Sequence, residues 1–384
     1  MTLSASLEKI FGPINFSDKD RDRLVYSHDA SDHSGYPSFI VWPTSVEEIH
    51  KLILLCKRSN ATLVPRGAGT SLTGASVPNE SIVVDMSKMR KVLEIKDDYI
   101  VVEAGVPLAD LNRELKYKYF PIQPESKASC TVGGMIATNA VGLKPMEYGR
   151  MEDWVESLTV IDGNGMPLEI KGDAVKHFCG AEGNTGIVLK AKLKLLKKEE
   201  NRSSKLLQFN TITAMYDQIK KLRYDPDILN IEFMDEFCSS LLGFEDKLYV
   251  IAEFRGDKGE YKGKDSEDLW LKRETLLKLV RGEKYFQMED VQVEEGDKFL
   301  HWLRKNRIPS YGAIGLNMFN VLFKEDRLVS EMKNVLKLLK GTLGIKFGYG
   351  VLKKEYLDKD FAKRMHALKT HYDPKNMMNR GKLI

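Results

Sequence analysis

Apolar positions near the start of the chain recur at helical spacing and then give way to short extended runs. Leu7–Phe11 and Asp18–Tyr26 read as short helices. Phe39–Trp42 reads as a strand that Pro43 ends. Thr44 or Ser45 then caps an amphipathic helix over Val46–Arg58, with Glu47 and Glu48 in the first turn, where carboxylates complement the helix dipole. Ala61–Val64, Ser81–Ser87, Tyr99–Val102 and Ser157–Ile161 are short apolar runs bounded by glycine or polar residues, the pattern of strands.

The texture changes after KKEENRSSK (Lys197–Lys205), a charged break that reads as a domain boundary. Beyond it, Ala214–Leu222 and Asp268–Arg281 predict amphipathic helices, and Ile228–Phe233 and Leu248–Phe254 predict strands. Leu316–Phe323 followed by a helix over Arg327–Lys340 repeats the strand–helix theme, which suits an antiparallel sheet with helices on one face. Glu283–Lys298 is acidic and reads as a loop. Leu357–Leu368 and the tail DPKNMMNRGKLI form a last block.

At 384 residues the chain exceeds the usual size of a single core, so two domains are expected. No apolar stretch is long enough to span a bilayer, and the opening MTLSASLEKIFG lacks the charged-then-apolar pattern of a signal peptide. Cys56, Cys130, Cys179 and Cys238 show no CxxC spacing, which suits reduced thiols and a cytoplasmic protein. A net charge of +4 against 30% charged residues, with no basic arm carrying aromatics, does not point to nucleic acid.

Three glycine-rich blocks carry the chemistry. The first, PRGAGTSLTGAS (Pro65–Ser76), sits between two predicted strands. Gly67, Gly69 and Gly74 permit positive φ, so successive backbone N–H groups can converge on an anion, with the Thr70 and Ser71 hydroxyls as further donors. Its spacing is neither GxGxxG nor GxxxxGK[ST]. The second, PESKASCTVGGMIATNAVG, spans Pro124–Gly142, and the third, GAEGNTGI, spans Gly180–Ile187. One diphosphate needs one such loop, so three suggest a long ligand threaded between two layers.

PRGAGTSLTG, SCTVGGMIATNAVG, YGRMEDWVESLTVIDGNG and GAEGNTGIV, in that order and with the tail DPKNMMNRGKLI, resemble the p-cresol methylhydroxylase and vanillyl-alcohol oxidase superfamily. Within it the chain is most similar to the glycolate oxidase D-subunit and D-lactate dehydrogenase branch. The resemblance implies an α+β fold in three stretches. Residues 1–200 would form an FAD-binding domain of two α+β subdomains (core about 36–197), 201–347 a reduced antiparallel-sheet cap, and 348–384 a segment closing back onto the FAD domain.

The same resemblance assigns cofactor contacts to Pro65, Arg66, Gly67, Ala68, Gly69, Thr70, Ser71 and Gly74 around the pyrophosphate. It adds Pro124, Ser126, Thr131, Gly133, Gly134, Ala137, Thr138 and Asn139 near the ring system, then Tyr148 and Gly149, then Glu182, Gly183 and Ile187 toward adenine and ribose, and Asn379 in the tail. Many relatives carry a flavin-linking histidine where this chain has Thr70, and Cys130 stands in a different setting from flavin-linking cysteines. Non-covalent FAD is therefore expected.

Relatives in this branch orient a 2-hydroxy acid with a metal held by a histidine pair and a Glu–His motif. Here Lys346 and Phe347 stand where that motif would be, so no metal is expected. His301 in FLHWLRKNR is the best remaining proton acceptor, Arg304 or Arg307 could clamp a carboxylate, and Tyr349 follows the altered motif. The expected function is oxidation of a small 2-hydroxy-acid-like substrate by hydride transfer to flavin, with an electron acceptor or complex subunit as possible partner. The alternative is an auxiliary FAD-binding electron-transfer subunit, and a flavin-free scaffold is disfavoured by the intact loops.

Overall fold

The computed structural model describes residues 2–198, 201–283, 285, 287–344 and 346–384. Lys284 and Phe286, within the stretch read as an acidic loop, lie outside that set. The chain divides into two compact units. The first comprises Met1–Val141, Arg150–Lys197 and Lys346–Ile384, and the second comprises Gly142–Gly149 and Lys198–Ile345.

Two larger sheets build the first unit, together with a two-stranded pairing of Lys118–Tyr119 and Leu196–Lys197. A four-stranded sheet runs in the order Phe16–Ser17, Phe39–Val41, Ile82–Asp85, Leu63–Arg66, with the last three strands mutually parallel. Helix Val46–Ser59 packs Ile49, Leu52, Ile53 and Cys56 into the core shared with Leu63, Ile82 and Val84. Its N-cap is Ser45, whose hydroxyl accepts from Glu48 N, while the Glu48 carboxylate accepts from Thr44 N at 2.6 Å. The second sheet is antiparallel, in the order Val92–Ile95, Tyr99–Glu103, Ile187–Lys194, Val155–Ile161, Pro167–Lys171. IVLKAKLK (Ile187–Lys194) alternates buried and less buried residues, as one buried face requires.

The tail is stitched to the first unit by backbone pairing. Leu63 N donates to Met377 O at 2.9 Å, and Asn379 N donates to Leu63 O at 2.7 Å. The C-terminal segment thus returns to the glycine-loop sheet. Its helix is Lys359–Tyr372, capped by Asp358, whose side chain accepts from Asp360 N and Phe361 N at 3.0 Å each.

The second unit is one eight-stranded antiparallel sheet, ordered Tyr261–Lys262, Arg202–Phe209, Leu248–Arg255, Ile228–Met234, Ser310–Gly312, Met318–Phe323, Gln287–Gln292, Thr342–Leu343. Three sequence expectations change here. The helix expected over Asp268–Arg281 is two helices, Gly263–Glu274 and Leu276–Gly282. Between them the Thr275 hydroxyl donates to Lys272 O at 2.7 Å, a local bond that competes with the helical ladder. The stretch read as an acidic loop contains the strand Gln287–Gln292, whose Glu289 and Asp290 are buried and hide its apolar alternation. Third, Gly142–Gly149 falls outside the first domain, where the sequence reading left it, and packs with the second unit.

That third change has a polar cause. Arg202 donates from both terminal nitrogens to Glu147 at 2.7 and 2.8 Å and to the Tyr148 hydroxyl at 2.6 Å. Lys144 pairs with the buried Glu253 at 2.6 Å, and Asn230 Nδ2 donates to Leu143 O at 3.1 Å. Buried carboxylates demand such partners: the sheet's Arg202 serves Glu147 of the segment, and the segment's Lys144 serves Glu253 of the sheet.

Candidate functional site

The first glycine loop leaves a strand end, Pro65 and Arg66, and reaches the next parallel strand at Ile82. Among the described residues, the backbone N–H groups of Gly67, Ala68, Gly69, Thr70, Ser71 and Leu72 find no acceptor in the protein. The loop thus leaves six consecutive backbone donors without an acceptor among the described residues. Its far side is tied down: Ser71 Oγ accepts from Thr73 N at 3.2 Å and Ala75 N at 3.4 Å, and Val77 N donates to Gly74 O. Arg66 turns back into its own loop, donating to Ser76 O at 3.2 Å and His28 O at 2.8 Å, over the Tyr26 ring. It braces the loop. Gly69, at φ +67°, leaves the room that this guanidinium fills.

The second block is anchored by contacts within the first unit. Thr131 Oγ1 caps the short helix Val132–Ala137 by accepting from Gly134 N, and Gly133 N donates to Ala104 O at 2.8 Å. A side chain at Gly133 would meet Ala104 Cβ at 2.8 Å, so the glycine is required by a neighbouring strand end. Likewise, a Cβ on Gly67 would fall 2.2 Å from Thr131 Oγ1, which brings the first and second blocks together. Pro124 O and Ser126 O accept turn bonds from Lys127, Ser129 and Cys130. The Cys130 thiol is buried and pushed up to about 11 by that burial, a poor nucleophile at neutral pH. Thr138 Oγ1 donates to Gly134 O at 3.0 Å, and Asn139 Oδ1 accepts from Glu152 N at 3.0 Å.

The third block joins these loops to the tail. Glu182 N donates to Ala137 O at 2.8 Å, and Gly183 at φ +75° packs against Pro65. The buried Glu182 carboxylate accepts from Tyr349 N at 2.6 Å and Gly350 N at 2.8 Å. Asn379 Nδ2 donates to Ala75 O at 3.0 Å and to Glu182 O at 2.6 Å, one side chain bridging the first and third blocks. Ile187 begins the strand behind them and enters the core. Lys382 Nζ donates to Val77 O, and burial pulls its ammonium down to about 8. Sequence reading missed Lys382 and Asp29, whose carboxylate receives Ser76 N and Oγ at 3.4 Å; only the tail motif itself signalled the first.

The substrate-side candidates fall in different units. Tyr349, in the first, packs its ring against Phe361 at 6.0 Å in the apolar cluster with Ala181, Met365 and Leu383. Lys346 Nζ lies 3.4 Å from Glu125 Oε2, so its charge faces a carboxylate of its own unit. Among the described residues no three His, Cys, Asp or Glu side chains converge as metal ligands would. In the second unit, helix Gly296–Lys305 carries His301 exposed and Arg304 paired with Glu236 at 2.6 Å. A cavity of about 500 Å³ takes in Arg304 and Arg307; His301 is not among its lining residues. Tyr148 and Gly149 also belong to this unit, with the Tyr148 hydroxyl engaged by Arg202.

Two family models match the chain, the FAD binding domain over residues 37–171 and the C-terminal domain of FAD linked oxidases over 322–383. The chain is 27% identical to the glycolate oxidase subunit GlcD of Bacillus subtilis, covering 98% of this chain and 96% of that protein. It is 25% identical to D-2-hydroxyglutarate dehydrogenase of Stutzerimonas stutzeri (95% of each) and 24% identical to D-lactate dehydrogenase of Archaeoglobus fulgidus (90% and 91%). The GlcD alignment runs over 452 positions against 384 residues here, so that relative carries segments this chain lacks. Among solved structures, alkyldihydroxyacetonephosphate synthase superposes with a TM-score of 0.74 at 18% identity, over 98% of this chain and 84% of its own. With its glycine-loop unit, its returning tail and relatives matched from end to end, the chain belongs to the FAD-linked oxidoreductases of the p-cresol methylhydroxylase and vanillyl-alcohol oxidase superfamily, in the glycolate oxidase and D-lactate dehydrogenase branch.

Proposed function

We propose that this protein oxidises a small 2-hydroxy acid, using FAD held without a covalent bond. The observation that carries the reading is the row of six acceptor-free N–H groups from Gly67 to Leu72, which fits a diphosphate. Thr70 in place of a linking histidine and the buried Cys130 thiol support dissociable binding. When bound, FAD supplies a two-electron acceptor for the hydride leaving the substrate carbon.

The chain's own residues do the rest. Arg66, Ser71 and Asp29 brace the cradle, while Glu182 and Asn379 hold the third block and tail against it. His301 is assigned the hydroxyl proton and Arg304 the substrate carboxylate, the latter in exchange for part of its bond to Glu236. Lys346 and Phe347 offer no metal ligand, so flavin reduction is expected to survive a chelator.

Anaerobic addition of glycolate, D-lactate or D-2-hydroxyglutarate to the purified holoprotein tests this. At least one should bleach the flavin absorbance, and should still do so after dialysis against chelator. Flavin that no 2-hydroxy acid reduces, yet that a redox partner does, would favour the second reading, an auxiliary electron-transfer subunit. That reading is favoured by the GlcD relative being a subunit of glycolate oxidase and by the Lys346–Glu125 pair at the altered motif.

A further inference from the structure

The cavity in the second unit is walled by the end of one helix, Gly296–Lys305, by the turn that follows it, and by the segment Asp235–Ser240. Its volume of about 500 Å³ falls in the range of small-molecule sites, about 300–1,000 Å³. Ile212, Phe237, Leu248, Leu300, Leu303 and Ile308 give it an apolar body. Three polar groups stand out against that wall. The Ser310 hydroxyl is fully buried and has no hydrogen-bond partner, an orphan that natural structures rarely leave. Arg307 makes no ion pair among the described residues and is held at φ +54°, a left-handed conformation unusual for a non-glycine residue. Arg304 is paired with Glu236.

The acidic side chains of the lining are largely spoken for. Asp235 accepts from Cys238 N at 2.9 Å and Ser310 N at 2.5 Å, Glu236 from Arg304 at 2.6 Å, and Asp246 stands exposed on the surface. The solvent-exposed Arg307 guanidinium and the buried Ser310 hydroxyl are donors free to take an acceptor, while Ser240, whose hydroxyl donates to Glu236 O, and Tyr285 are the other hydroxyl-bearing residues of an otherwise apolar lining. We propose that this cavity binds a small organic acid, its carboxylate taken by Arg307 and the Ser310 hydroxyl and its apolar body by the Phe237–Leu303 wall. The site is built entirely within the second unit and does not depend on the flavin reading.

The test is calorimetric titration of the FAD-loaded protein with hydrocinnamate, set against its neutral amide and against phenylpropylamine. Saturable binding of the acid, at least about tenfold tighter than the amide, is expected, because a carboxylate accepts charge-assisted bonds that an amide cannot. Arg307→Ala should weaken it by about tenfold or more and Ser310→Ala by several-fold, with Arg307→Lys intermediate because it keeps the charge and loses the fork. Circular dichroism of each variant checks folding, and Arg307→Lys keeps the question open to measurement should Arg307→Ala not fold. No saturable binding, equal affinity for acid and amide, tighter binding of the amine, or indifference to both Arg307 variants would overturn the proposal.

Discussion

Glu182 is a buried carboxylate that holds Tyr349 N and Gly350 N, and its pKa is pushed up to about 7, chiefly by burial, against the pull of those two N–H groups and Lys382. A carboxyl raised in the folded state stabilises most below its ordinary range near 4.5 and loses that contribution as pH rises toward 7. The melting temperature of Glu182→Gln relative to the parent should therefore climb between pH 4.5 and 7 and level off above. A difference that stays flat across that window would refute the assignment. Two glycines give a second contrast at this scale. Gly133→Ala drives a methyl onto Ala104 and should cost about 1–3 kcal/mol of stability even without flavin. Gly69→Ala meets the movable end of Arg66 but must hold φ +67°, so it should cost about 1–2 kcal/mol of stability in the flavin-free protein and lower flavin content per chain as well. Both glycines were legible as motif letters. The close approach of Gly133 to Ala104 was not, since the two lie far apart in sequence.

At the scale of elements, most strands and helices followed from apolar periodicity, and the exceptions share a cause. Gln287–Gln292 hid because its buried positions include Glu289 and Asp290, and the helix around Thr275 broke because a side chain took a backbone acceptor. Gly142–Gly149 joined the second unit through Arg202, Lys144 and Asn230, charges and amides whose partners no local pattern announces. Arg202→Met removes the partner of Glu147 and shares in that of Glu253, both mostly buried, and should cost about 3–5 kcal/mol. Replacing Glu147 by leucine in the same chain should recover part of that loss, because the stranded carboxylate is gone. Urea unfolding of the two variants, with hydrogen exchange read at Pro145–Tyr148, measures both effects.

For the whole molecule, glycine spacing and the tail were enough to anticipate a flavin-type fold that closes on itself, and the tail does return, through Leu63, Met377 and Asn379. The substrate side was less legible, because ligand-binding side chains there carry no fixed spacing. Among the described residues no helix is long and apolar enough to cross a membrane. The account rests on a cradle of backbone donors that grips FAD without a bond to the chain, and acid precipitation of the purified protein tests that most directly. The supernatant should be yellow and contain intact FAD, close to one per chain. Flavin that stays with the pellet, or colourless protein that takes up no FAD on reconstitution, would contradict it.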